Sequence, residues 1–113
     1  MRPVDRSRAL VDAYNRRDAG AIRAMLHPEI TYVRPGPRAV PDHDAIVRLY
    51  EADWDRNDAT LDIRSMMEDG DRVLVELTIT VPGADGPMEG CAVHRWADGL
   101  LAEYRAYLDP FPH

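Results

Sequence analysis

Lysine is missing from this 113-residue chain: all 14 basic side chains are arginines. That bias fits GC-rich coding and points to no function. Cys91 is the one cysteine, so no intrachain disulfide forms and a reducing compartment is expected. No apolar run approaches the roughly 20 residues that cross a bilayer. The opening Met1-Arg2-Pro3-Val4-Asp5-Arg6 has no apolar stretch of a signal peptide. These absences predict a cytoplasmic protein without a membrane partner. Positive charge is also in deficit, with a formal net charge of −6. Nucleic acid needs a basic stripe and is excluded as a partner. The arginines grouped at Arg2, Arg6 and Arg8 and at Arg16 and Arg17 alternate with acids, as on solvated helix faces. Serine is scarce. Ser7 and Ser65 stand in no nucleophile-elbow sequence, and no glycine-rich phosphate loop occurs.

What is present is an ordinary globular composition, 45% hydrophobic and 30% charged. The length suits one domain, 1–113, with a substantial core. Pro3 is placed for a first helical turn, and Ser7, Leu10, Val11 and Tyr14 follow at helical spacing to about Arg17. Asp18 caps a short second helix carrying Ile22, Met25 and Leu26, which Pro28 is expected to stop. Glu29 to Arg34 then reads as a strand, ended by Pro35-Gly36-Pro37. Pro41-Asp42 opens a third helix on which Ile46, Leu49, Tyr50 and Asp53 or Trp54 share a face. Strands are predicted over Leu61–Glu68 and Arg72–Val81, then a loop at Pro82–Pro87 and a terminal hairpin. The order ααβαββββ predicts an α+β domain, three helices covering one face of a curved antiparallel sheet.

The terminal hairpin turns at Asp98-Gly99, the strongest short-range hairpin signal. Beyond it Leu100, Ala102, Tyr104, Ala106 and Leu108 alternate with Glu103, Arg105 and Asp109. A two-residue turn pairs Trp96 with Leu101 and His94 with Glu103. A three-residue turn, Ala97-Asp98-Gly99 with a bulge, pairs Trp96 with Leu100 and His94 with Ala102. The bulged form is expected, because it joins the apolar even face to Trp96, Ala92 and Gly90 and turns His94 inward.

Three stretches carry a family resemblance: Ala24-Met25-Leu26-His27-Pro28-Glu29-Ile30-Thr31-Tyr32, Gly70-Asp71-Arg72-Val73-Leu74-Val75, and Trp96 through Pro110. With the element order, they resemble the SnoaL-like polyketide cyclase group of the nuclear transport factor 2-like superfamily, over essentially the whole chain. The resemblance implies a cone-shaped fold with a deep apolar pocket and a homodimer formed through the sheet. It extends to cyclases, ketosteroid isomerases, epoxide hydrolases, dehydratases and non-catalytic binding modules, so the fold alone selects no reaction. Where ketosteroid isomerases carry their catalytic aspartate, this chain has Arg34. Their oxyanion-hole tyrosine and aspartic acid fall at Leu10 and Ala92. The arginine and two aspartates of the epoxide hydrolases fall at Leu77, Ile79 and Ala106. Both mechanisms lose their essential groups.

The remaining candidates are His94 and Arg34 as catalytic residues and Tyr14, Tyr32, Tyr50, Trp54 and Tyr104 as substrate-binding walls. His94 is either a tunable proton carrier or a core-edge histidine satisfied by a backbone carbonyl or tyrosine hydroxyl. Arg34 either holds a ligand oxygen or forms a rim salt bridge with Asp53 or Glu51. Asp109 is either a general acid at the pocket mouth or a hydrogen-bonding partner of loop amides. His27-Pro28-Glu29 and Asp42-His43-Asp44 have metal-ligand types without further ligands, so no metal is expected. Instead His43 and Asp44 should join Asp42 at the third helix's N-terminus. Cys91 reads as an inert small hydrophobe. Two functions follow: a cofactor-free acid–base enzyme (cyclase, isomerase or dehydratase) on a small hydrophobic molecule, or a non-catalytic small-molecule-binding or dimerisation module. Val93, Leu101 and Tyr107 are expected on the outward, dimer-forming face of the hairpin.

Overall fold

The computed structural model describes residues 1–34 and 42–109, with Asp109 described by its backbone alone. The helix α1 spans Pro3–Asn15, α2 Ala19–Met25 and α3 His43–Asn57. Each starts where its sequence directs. Pro3 opens α1, and the Asp5 carboxylate accepts the Arg2 backbone N–H at 3.3 Å. Asp18 accepts from the Ala21 amide at 3.0 Å and Asp42 from the Ala45 amide at 2.8 Å, each satisfying an orphan first-turn donor. The buried stripe of α1 is Ser7, Leu10, Val11 and Tyr14, with Ala13 beside it. From α3 it is Ile46 and Tyr50. Among the described residues no helix is long and apolar enough to cross a membrane.

Five strands form one sheet in the order β1-β5-β4-β3-β2: β1 Leu26–Val33, β2 Thr60–Asp69, β3 Arg72–Thr80, β4 Met88–Ala97 and β5 Leu100–Asp109. From β2 to β5 it is the expected antiparallel meander, but β1 lies parallel to β5, so the sheet is mixed. The helix α2 runs straight into β1, which begins at Leu26 and contains Pro28. Pro28 was expected to end the helix. It is tolerated inside a strand because β1 is an edge, where a missing N–H costs the sheet little, and its ladder is irregular between Leu26 and Thr31.

The hairpin register corrects the expected three-residue turn. Asp98 and Gly99 both have positive φ, 54° and 77°, as a two-residue type I′ turn requires. Trp96 pairs with Leu101, but Arg95 pairs with Glu103, leaving Ala102 as an inserted residue. The bulge restores even-to-even pairing, so His94 lies opposite Tyr104 and Ala92 opposite Ala106. Leu101 and Ala102 are consequently both buried. Leu101 is therefore not on the outward face expected with Val93 and Tyr107; Tyr107 is 55% exposed and Leu101 is fully buried. Glu103 points outward to Arg72, Arg95 and Arg105 rather than to His94.

The core fills the space between the helices and the inner face of the sheet. Val73, Val75, Leu77 and Ile79 alternate inward along β3, against Leu10, Ile22, Ile46 and Tyr50. Arg6 ties α1 to the hairpin, donating to the Gly99 carbonyl at 3.1 Å.

Candidate functional site

A cavity of about 150 Å³ opens between α1, α3 and the inner face of β3–β5. Its apolar wall includes Val11, Leu61 and Met88. Gly90 belongs to it too, and a Cβ there would sit 2.9 Å from the Tyr107 carbonyl oxygen, so only glycine lets the strands close on this side. Leu10, Arg34, Leu77, Ile79, Ala92 and Ala106, the positions at which the resembling enzymes carry catalytic groups, all lie on the wall. In this chain five of those six side chains are aliphatic.

Polar groups reach the cavity from four elements. His94 comes from β4, Tyr104 from β5, Tyr14 from α1, and Tyr50 and Asp53 from α3; Arg34 follows the end of β1. The guanidinium of Arg34 donates from Nη2 to both carboxylate oxygens of Asp53, at 3.0 and 2.8 Å. Of the alternatives the sequence left open, the rim salt bridge is thus present, and its partner is Asp53. Both side chains keep about a quarter of their surface exposed, 26% and 24%.

His94 lies deeper, with 2% exposure. Its Nδ1 is 2.8 Å from Ser7 Oγ, its ring stacks on Tyr104 with centroids 5.4 Å apart, and Trp96 meets it edge-on. Burial without a compensating charge pulls its pKa down to about 4, so the imidazole is neutral at physiological pH. Burial acts the opposite way on the tyrosines. The Tyr14 hydroxyl is pushed up to about 12, first by burial and then by the Asp53 carboxylate. Tyr50 and Tyr104 are raised for the same first reason. All three remain protonated and offer O–H donors.

Tyr32 and Trp54, expected to contact substrate, stand behind the wall and do not line the cavity. Tyr32 is 1% exposed and stacks on Tyr104, centroids 4.5 Å apart and planes within 8°. Its hydroxyl sits near those of Tyr50 and Tyr104 without a hydrogen bond of proper geometry to any described residue. Trp54 packs on Tyr14 and Tyr50, with the Arg17 guanidinium 5.8 Å above its ring. Asp109 ends β5 opposite Glu89, and its side chain lies outside the described part.

One site residue, Ser7, was not singled out from the sequence as a site group. It was visible as the polar member of an otherwise apolar helical stripe, and buried polar groups demand a partner. Asp53 was named only as a rim partner of Arg34; it shares a helical face with Ile46 and Tyr50, which aims it at the sheet. The histidines of the two metal-like clusters have other partners: His43 Nε2 donates to the His27 carbonyl at 2.8 Å, and His27 Nδ1 accepts the Glu29 amide at 3.0 Å. Asp44 pairs with Arg23 rather than complementing the helix start alone. Among the described residues no three His, Cys, Asp or Glu side chains come together to hold a metal ion.

Residues 7–104 match the SnoaL-like domain family. The chain belongs to the SnoaL-like family. Solved structures of the same nuclear transport factor 2-like fold superpose closely on this SnoaL-like chain at low identity. IdmH of Streptomyces antibioticus, a candidate polyketide cyclase, is 19% identical, with 97% of this chain and 94% of that one covered and a TM-score of 0.82. A candidate polyketide cyclase of Sinorhizobium meliloti is 18% identical over 95% of this chain and 100% of that one, with a TM-score of 0.83. An epoxide hydrolase of Mycobacterium tuberculosis is 21% identical, covering 96% and 84%, with a TM-score of 0.81. Identities this low establish the shared fold and nothing about the reaction. Among curated proteins, none matches the sequence.

Proposed function

We propose that this SnoaL-like protein takes a small hydrophobic molecule into its cavity and converts it by acid–base chemistry, using side chains alone. The observation that supports this is the convergence of His94, Arg34, Asp53 and the side chains of Tyr14, Tyr50 and Tyr104 on one small, largely apolar space. Asp53 engages only Nη2 of Arg34, so Nη1 and Nε retain N–H groups that a ligand oxygen would share with the nearby Tyr32 hydroxyl. His94, neutral at the working pH, acts from β4 as a partner for oxygen rather than as an imidazolium acid. The carboxylate able to accept a proton is Asp53. Cyclisation, isomerisation and dehydration all need this set: one group to take a proton and donors to hold the developing oxyanion.

The aliphatic side chains at Leu10, Ala92, Leu77, Ile79 and Ala106 favour a second reading, a module that binds its ligand unchanged. Native mass spectrometry of the purified protein identifies any retained small molecule, and incubation with that compound separates the two. Turnover that falls tenfold or more in both His94→Ala and Arg34→Ala proteins is the expected result. Return of the compound unaltered assigns the binding module, and turnover unaffected by either substitution removes the catalytic assignment.

A homodimer through the outer face of the sheet belongs to the same proposal. Met67 is 58% exposed there and Tyr107 55%, with Val93 and Leu74 half-buried between them. Light scattering coupled to size exclusion should give twice the 12.8 kDa chain mass, and a monomer would contradict it.

A further inference from the structure

Three side chains beside the cavity settle where the proton of His94 resides. The indole Nε1–H of Trp96 can only donate, and it donates to Ser7 Oγ at 3.0 Å. The same oxygen lies 2.8 Å from His94 Nδ1. Ser7 has a single proton to give, and Nδ1 is the acceptor that faces its hydroxyl among the described residues. All three groups are satisfied at once when Ser7 accepts from Trp96 and donates to Nδ1. A neutral imidazole whose Nδ1 accepts carries its proton on Nε2. Ser7 is fully buried and His94 nearly so, which keeps water from offering the alternative.

His94 lines the cavity, and its Nε2 has no partner among the described residues. The only charges on the described wall are Arg34 and Asp53, which neutralise each other. An anionic ligand would meet the Asp53 carboxylate, and a cation would meet the guanidinium. Cavities near 150 Å³, this one's size, hold a benzene-sized guest.

We propose that the cavity selects an uncharged, single-ring-sized molecule bearing a hydrogen-bond-accepting oxygen, such as a cyclic ketone or lactone, and that this oxygen docks on His94 Nε2–H. Ser7 is the positioning residue that keeps the donor turned to the ligand. The proposal rests on the cavity being a ligand site and adds the chemical class that fits it. The low pKa of His94 is consistent with a donor that stays neutral.

Long-range proton–nitrogen NMR of the wild-type protein reads the tautomer without any substitution. The expected spectrum shows His94 as Nε2–H at neutral pH, and an Nδ1–H signal would overturn the proposal. Cyclohexanone and methylenecyclohexane, matched in shape and differing by C=O for C=CH₂, then probe the cavity by titration calorimetry. Ser7→Ala should weaken cyclohexanone binding about fivefold, the equivalent of one neutral hydrogen bond, and leave methylenecyclohexane unchanged. It should also convert the single tautomer into a mixture, which a purely structural serine would not do. An equal effect on both probes overturns the role of Ser7 and leaves the cavity as a ligand site. If neither probe binds the wild-type protein, the proposed ligand class is overturned, while a different molecule retained in native mass spectrometry keeps the cavity as a ligand site.

Discussion

Lowering the pH from about 7 to about 4 is expected to remove about 3 kcal/mol of folding stability through His94 alone. The ordinary pKa of 6.5 applies in the unfolded chain, and burial holds it near 4 in the folded one. Between those values the unfolded state binds the extra proton, so acid favours unfolding. This contribution is fully present above pH 6.5, declines as pH falls, and levels off once the folded-state group also titrates, near pH 4. The neighbours of His94 are Ser7, Trp96 and Tyr104, none of which carries negative charge in this range to offset the penalty. Glu103, held below the usual carboxylate range chiefly by its hydrogen bond from Arg105, begins to lose its own contribution as pH falls through the ordinary value of 4.5, and that loss is common to wild type and a His94 variant. Urea denaturation of wild type and His94→Phe across the interval isolates the effect. Wild type should lose about 3 kcal/mol more than the variant; parallel losses would show that His94 is not buried as a neutral ring.

Much of the fold was legible because its signals are local. Asp18 and Asp42 cap helices through their own side chains, and Asp98-Gly99 adopts the positive φ pair that those residue types favour. Alternation along Val73, Val75, Leu77 and Ile79 reports which side chains share a face. It carries no information about which strand lies alongside or in which direction, and so the parallel pairing of β1 with β5 was not legible. The hairpin shows the same limit more finely. One extra residue shifts side-chain parity equally whether it sits in the turn or at Ala102 within the strand. The inward direction of His94 therefore followed from the alternation, while the position of the bulge did not. Its displacement is what buries Leu101 and strips it from the outer face.

The site divides in a similar way. Positions aligned with the catalytic groups of resembling enzymes all reach the cavity wall, since strand parity and helical spacing determine that. Depth is a tertiary quantity. Tyr32 and Tyr104 sit on adjacent parallel strands and stack, so one ring necessarily shields the other, and no local pattern says which. Ser7 illustrates the remaining gap: its partners His94 and Trp96 are 87 and 89 residues away, beyond any periodicity.

Trp96→Ala is expected to cost about 4 kcal/mol, a large share of the stability of a domain this size. The indole is 5% exposed and stands where α1, β4 and β5 meet. It pairs with fully buried Leu101, meets His94 edge-on at 6.2 Å, and donates to Ser7 at 3.0 Å. Truncation removes the ring from a packed interior that cannot collapse around it, because Arg6 and the hairpin turn pin the surrounding backbone. Trp96→Phe separates packing from hydrogen bonding: it retains most of the ring and loses the N–H, for an expected cost of about 1.5 kcal/mol. The difference of about 2.5 kcal/mol between the variants is then the packing component. Urea midpoints with unchanged slopes measure both. Equal costs for the two substitutions would mean that the hydrogen bond to Ser7, rather than the buried ring, dominates at this position.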